Sequence, residues 1–235
     1  MSQRLDNKTV VVTGAFGNLG IAVAREAAAR GANLVLVDYA PVPSDDRLAG
    51  LPEKTLLLGG VDLKDLDQAT AAMAKAAETF GGVDALLNIA GGFTWETFAD
   101  NDLSNWDFLY NINVKTAITA SKAALPHLFN GGGSIVCISA GPALKGDMGM
   151  GPYAASKAGV ARFVESLSQE VKDRNVRVNA VMPSIIDTPL NRKDMPDAEF
   201  DRWVTPQALA NVILFLVSEE ASAVTGALIP VFNRV

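Results

Sequence analysis

The sequence holds one cysteine and one histidine among its 235 residues. A single cysteine cannot form an internal disulfide, and Cys137 lies in the apolar run Ser134-Ile-Val-Cys-Ile138, where a buried, inert thiol is expected. His127, which follows Pro126 in a helical pattern, reads as a surface or helix-end residue; with no Cys/His cluster beside it, no metal site is expected. Positive charge is also scarce. The formal net charge of −6 lacks the basic excess that binding nucleic-acid phosphates or an anionic membrane requires. The longest aliphatic run, Val212 to Val217, is far too short to span a bilayer. The opening Met1-Ser-Gln-Arg-Leu-Asp6 has no apolar stretch of the kind a secretory signal needs. These absences lead to the expectation of a soluble cytoplasmic protein acting on a small molecule.

What is present fits a compact chain. Hydrophobic residues make up 49% and charged residues 20%, enough for one substantial core in a single domain over residues 1–235. Short aliphatic runs at Thr9–Thr13, Asn33–Asp38, Thr55–Leu58, Ala85–Leu87, Ser134–Ile138, Val176–Val181 and Ala227–Val231 read as strands. Between them, helical patterns cover about 18–30, 65–80, 104–129, 153–173 and 205–218. This alternation predicts an α/β fold of seven strands in a mainly parallel sheet with helices on both faces. Residues 183–206 have no strand pattern of their own and read as a substrate loop or lid.

The first strand runs into Thr13-Gly-Ala-Phe-Gly-Asn-Leu-Gly20, ahead of an alanine-rich helix. Glycines at such a turn let backbone N–H groups approach a pyrophosphate at the positive helix end, which makes Gly14, Phe16, Gly17, Asn18, Leu19 and Gly20 candidate coenzyme contacts. Asp38 follows 18 residues after Gly20, at the end of the second strand, where a carboxylate can accept from ribose hydroxyls and repel a 2′-phosphate. No arginine or lysine lies in the glycine turn or directly after Asp38, so NAD is favoured over NADP. Asp62 either caps the adenine edge or serves as a helix N-cap.

Tyr153-Ala-Ala-Ser-Lys157 puts a phenol and an ammonium four residues apart, on one face of a helix. A free phenol, with a pKa of about 10, is a poor acid or base at neutral pH; an adjacent ammonium favours the phenolate and lowers that value. Such a tyrosine could exchange a proton with a substrate oxygen or nitrogen.

Over essentially its whole length the chain resembles the short-chain dehydrogenase/reductase family. The likeness rests on the glycine turn, Asn88-Ile-Ala-Gly91, Trp106-Asp107 with Asn113, Tyr153 with Lys157, and Pro183 with Thr188. The resemblance implies a doubly wound Rossmann fold and hydride transfer at the nicotinamide C4. It implies Tyr153 as general acid/base, Lys157 lowering its pKa and binding the nicotinamide ribose, and Asn113 holding a water. Asn88, Ala90 and Gly91 would shape the floor near the coenzyme, and Ile186 and Thr188 would contact its carboxamide, with Pro183 opening that motif. Helices 104–129 and 153–173, apolar on more than one face through Ala117, Ile118, Ala124, Leu125, Ala155, Ala158, Phe163 and Leu167, would pair between subunits in a homodimer or homotetramer.

Three positions depart from the family pattern. Asn18 stands where many members carry glycine, a change that an asparagine in left-handed backbone would accommodate. Ser184 follows Pro183 where glycine is usual. Ala140 occupies the place of the catalytic serine, thirteen residues before Tyr153, while neighbouring Ser139 is expected on the opposite strand face. Lack of that serine, with the stretch Asp187–Phe200 and Trp203 and with Ala90-Gly-Gly-Phe93, resembles the dihydropteridine reductase family; Phe93 and Trp203 themselves read as either loop packing or a flat aromatic wall. The readings are an NAD(H)-dependent oxidoreductase of a small carbonyl, alcohol or pterin-like imine; a quinonoid dihydropteridine reductase; or a catalytically silent NAD-binding sensor or scaffold.

Overall fold

The computed structural model describes residues 4–100 and 102–235; Met1–Gln3, part of the amino-terminal reading above, lie outside the described residues. Seven strands form one sheet: β1 (Thr9–Thr13), β2 (Asn33–Val37), β3 (Leu56–Leu58), β4 (Ala85–Asn88), β5 (Gly133–Ile138), β6 (Val176–Pro183) and β7 (Leu228–Val231). All pairings are parallel, in the order β3-β2-β1-β4-β5-β6-β7. Every residue of β1 and β4 is buried, because a central parallel strand is covered on both faces and so reads as a continuous apolar run.

Side chains of each strand alternate between two cores. Val11, Val35, Leu86 and Ile135 join one with Met73, Ala124 and Val164; Val10, Val12, Leu34 and Leu87 join the other with Ala24, Leu209 and Ile213. Helices α2 (Leu66–Phe80), α4 (Thr116–Leu128) and α5 (Gly151–Val171) therefore cover one face, and α1 (Asn18–Ala29) and α7 (Pro206–Val217) the other. The remaining helices are short: α3 (Ser104–Leu109) and α6 (Pro189–Asp194). Among the described residues, no helix is long and apolar enough to cross a membrane.

Two elements differ from the sequence-based expectation. The single helix expected over 104–129 is interrupted by a π-helical turn at Tyr110–Lys115, which separates α3 from α4 and carries Asn113. Residues 183–206 are not an irregular loop. Thr188 caps α6 by accepting the Asn191 N–H at 3.2 Å, with Pro189 at its first position, so local capping chemistry makes a short helix where no strand period exists. A parallel bridge between Ile186 and Val204 closes the base of the segment, and Trp203 is buried at 3% exposure.

Candidate active site

Strand order reverses between β1 and β4, and a cleft of about 1100 Å³ opens at the carboxyl ends of these strands. Such switch points are where open α/β sheets bind ligands. The glycine turn forms one wall. Gly14 has a φ of +59°, and a Cβ there would lie 2.7 Å from the Ala90 Cα; only glycine meets both demands. Thr13 sets that close approach, because its hydroxyl accepts the N–H groups of Ile89 (3.1 Å) and Ala90 (3.2 Å). Helix α1 starts at Asn18 with no side-chain cap and no acidic residue in its first turn, leaving its positive end open to an anion. Asn18 is thus helical, and the left-handed backbone considered for it is not needed.

Asp38 holds the glycine turn as well as facing the cleft. Its Oδ2 accepts the Phe16 N–H at 2.8 Å and its Oδ1 accepts the Ala40 N–H at 3.0 Å. Each oxygen keeps a lone pair for a further donor. Asp62 also lines the cleft, its Oδ1 accepting the Lys64 N–H at 2.9 Å; the residue that caps α2 is Asp65, which settles the N-cap alternative against Asp62.

Tyr153 stands in the first turn of α5 and faces the same cleft, with the Phe93 ring perpendicular to it at 4.9 Å. Lys157 lies one turn on, its Nζ 5.9 Å from the Tyr153 ring centre. The ammonium donates to the Ile138 carbonyl at 2.9 Å, and Ser139 Oγ donates back to the Lys157 carbonyl at 2.8 Å, so β5 and α5 are clamped twice across two residues. Asn113 is buried and fully engaged. Its Oδ1 accepts the Gly92 N–H at 2.9 Å, and its Nδ2 donates to the Gly92 carbonyl (3.1 Å) and to Ser156 Oγ (3.0 Å). Ser156 in turn donates to the Tyr153 carbonyl at 2.8 Å. A Cβ on Gly91 would come within 2.6 Å of Asn113 Oδ1 and 3.3 Å of Lys157 Nζ, so the absence of a side chain at 91 lets both groups converge.

The electrostatics run opposite to the sequence-based expectation. Burial pushes the Tyr153 phenol up to about 12 and the Lys157 ammonium down to about 8. Desolvation disfavours both charged forms, and the ammonium donates to the Ile138 carbonyl and makes no hydrogen bond to the phenol. At neutral pH the phenol is therefore protonated, which equips it to donate to a substrate oxygen or nitrogen. The Cys137 thiol is fully buried and raised to about 11, the inert state expected of it.

Other sequence-predicted positions divide. Ala90, Gly91, Phe93, Ile186 and Thr188 line the cleft. Asn88 does not: it is buried behind it, donating to Ser121 Oγ (3.0 Å) and Cys137 Sγ (3.4 Å), with its Oδ1 unpartnered. Pro183 ends β6 in the core, away from the cleft lining. Ser139 is completely buried with its hydroxyl on Lys157, and Ala140 is 2% exposed; neither reaches the cleft wall. Trp203 packs against Phe200 and in the core, which removes it from any substrate wall. Of the helix residues taken as surplus apolar surface, Ala117, Ala124 and Leu167 are buried in the chain's own core, whereas Ile118 and Ala155 are exposed.

Sequence reasoning missed Thr13, Ser156 and Arg47. Ser156 had a usable signal, since it stands between Tyr153 and Lys157 on the helix. Arg47 had none: it reaches the Phe16 carbonyl (3.2 Å) from a proline-rich segment 31 residues away. Together, the open α1 end, the Gly14–Ala90 approach and Asp38 suit a dinucleotide, whose nicotinamide would supply or take up hydride. Gly14, Gly17 and Asp38 would hold it.

Comparison with known proteins agrees with this geometry. The family model described as short chain dehydrogenase matches residues 8–199. The chain is 33% identical to meso-2,3-butanediol dehydrogenase of Serratia marcescens, over 97% of the chain and 94% of that protein. It is 32% identical to trans-4-hydroxycyclohexanecarboxylate dehydrogenase of Sinomonas cyclohexanicum, over 97% and 92%. With (-)-trans-carveol dehydrogenase of Rhodococcus erythropolis it shares 30% identity over 97% of each chain. The protein is thus an oxidoreductase that belongs to the short chain dehydrogenase family.

Proposed function

We propose that the protein moves hydride between NAD(H) and an uncharged secondary alcohol or its ketone, with Tyr153 as general acid/base. The observation that carries this is Tyr153 on the cleft wall, a turn from Lys157 and joined to Asn113 through Ser156. In reduction, the protonated phenol delivers its proton to the carbonyl oxygen; in oxidation, the phenol must first lose its proton, and the phenolate then takes one from the substrate hydroxyl. Lys157 holds Tyr153's surroundings positive, and Asn113 positions the Gly91-Gly92 backbone under the reacting group. Near Tyr153 the wall carries the apolar Phe93, Ile138 and Ile186, with the uncharged Thr188 and the one charged group Lys157. The other charged lining residues belong to the segments around Asp38 and Asp62, which supports an uncharged reacting end. Among the relatives above, one name carries a hydroxycyclohexane ring and another an acyclic butanediol, so ring and linear alcohols both fall within the substrate class. Residues 183–206 serve as the lid of this end, with Ile186 and Thr188 on the cleft wall.

A second reading, reduction of a flat conjugated imine such as a quinonoid dihydropterin, is favoured by Ala140. No serine hydroxyl stands there to stabilise an oxyanion, and protonation at nitrogen needs less of that help. Asp38 supports NAD over NADP, by at least about tenfold in affinity, or ~1.4 kcal/mol. The test is NADH and NADPH oxidation against cyclic ketones, linear diketones and a quinonoid dihydropterin. Fastest turnover of the ketones with NADH supports the main reading, and fastest turnover of the pterin supports the second. NADH binding with no turnover of any substrate would leave a coenzyme-binding sensor or scaffold. Self-association across α4 and α5, through exposed Ile118 and Ala155, is part of the same proposal, and a monomer by light scattering at micromolar concentration removes it.

A further inference from the structure

The peptide unit of Phe16 is bracketed by two side chains of opposite charge. Its N–H donates to Asp38 Oδ2 at 2.8 Å, and its carbonyl accepts Arg47 Nη1 at 3.2 Å. A carboxylate and a guanidinium thus stand at the two ends of one peptide, both on the cleft wall. The Nε/Nη2 edge of Arg47 is already taken, and its Nη1 is on the Phe16 carbonyl. Nε and Nη2 form a fork with Asp45, at 2.8 Å to Oδ1 and 2.7 Å to Oδ2. The backbone beneath is fixed from both sides: Asp45 Oδ1 accepts the Arg47 N–H at 3.1 Å, and Arg25 of α1 donates to the Arg47 carbonyl at 3.0 Å.

A free guanidinium at this place would suit a 2′-phosphate, because its planar fork matches phosphate oxygens. Asp38 acts in the opposite sense. The balance between them depends on whether the charge and the fork of Arg47 are already engaged, and Asp45 engages both. We propose that Asp45 is a positioning residue for coenzyme selectivity: it holds Arg47 away from the role of phosphate ligand and so reinforces the exclusion of 2′-phosphorylated coenzyme by Asp38. This rests on the reading that the adenosine end of the coenzyme lies beside Asp38. The Asp45–Arg47 pair is about half exposed, at 56% and 49%, and exposed pairs contribute little to stability. Its consequence falls on ligand choice.

The experiment titrates the full chain with adenosine 2′,5′-bisphosphate and with ADP, and measures KM and kcat for NADPH and NADH. It compares wild type, Asp45→Asn, Arg47→Ala and the double variant. Asp45→Asn should bind the 2′,5′-bisphosphate about fivefold more tightly, the scale of one exposed charge interaction. The KM for NADPH should fall by the same factor with kcat unmoved, a split that a general structural change would not give. Adding Arg47→Ala should abolish the gain. Wild type that prefers ADP, with no gain in Asp45→Asn, overturns this inference alone, as does a gain that survives Arg47→Ala. Wild type that already binds the 2′,5′-bisphosphate better than ADP overturns the Asp38 reading itself.

Discussion

At one end of the cleft Asp38, Asp45 and Arg47 stand partly in solvent, tied to backbone groups and to one another by surface contacts. At the other, Lys157 and Asn113 are buried, and their side chains are committed to protein partners within 3.1 Å. The first arrangement sits in high dielectric, where a charge can be exchanged at small cost in stability. The second sits where an unmatched polar group costs about 1–3 kcal/mol or more, so each member depends on the others. Coenzyme preference is therefore the property that a single surface substitution can shift. The proton-transfer geometry is the property that few substitutions leave intact.

The largest expected effect lies at the buried end. Tyr153→Phe removes the only hydroxyl of that side chain and should lower kcat by about a thousandfold, within the range of general acid–base catalysis, while NADH affinity stays within about twofold. Turnover above a tenth of wild type would mean that another group moves the proton, and the contrast between the two ends would fail. At the exposed end, by comparison, the Asp45 and Arg47 variants should alter coenzyme ratios alone.

A smaller effect comes from the buried charge. Lys157 falls from 10.5 to about 8 on folding, so between these values the unfolded chain binds more protons than the folded one. Stability contributed by this group therefore rises with pH through the window from about 8 to 10.5. Lys157→Met, similar in length and without the ammonium, lacks that increment. The unfolding free energy of wild type relative to Lys157→Met should increase by about 2 kcal/mol between pH 8 and 10, measured by urea denaturation. The opposing shift of Tyr153, from 10 up to about 12, sets in near pH 10 and is present in both chains, so the difference between them reports Lys157. A flat difference would place the Lys157 ammonium in a solvated setting.

The smallest effect sharpens the same contrast. Ser139 Oγ donates to the Lys157 carbonyl and is completely buried, so it acts on the position of α5 and not on substrate. Ser139→Ala should cost about 1 kcal/mol in stability and change kcat less than tenfold. A fall of two decades in kcat, with fold and NADH affinity unchanged, would show that this hydroxyl reaches the reacting atoms after all.

Much of the frame was legible along the chain. All seven strands were legible as short aliphatic runs and most long helices by their period, and the turn Gly14–Gly20 and Asp38 were legible from their spacing. The glycine turn was legible because its parts are adjacent in sequence. Asn113 was legible as a position but not in its use, since its partners Gly92 and Ser156 lie 21 and 43 residues away. Trp203 read as either loop packing or a ligand wall, because an aromatic in a polar tract gives no sign of whether it turns inward. Here it turns inward, to 3% exposure.

The sequence by itself determined which residues share a face, Tyr153 with Lys157 by helical spacing, and where the glycines meet a strand-to-helix turn. These are relations within one element, fixed by backbone geometry. Only the tertiary structure decided that Lys157 donates to Ile138, that burial raises Tyr153, and that Arg47 arrives at the Phe16 carbonyl beside Asp38. Partner choice between distant segments and the loss of water around a charge are set by packing, and no local spacing encodes them.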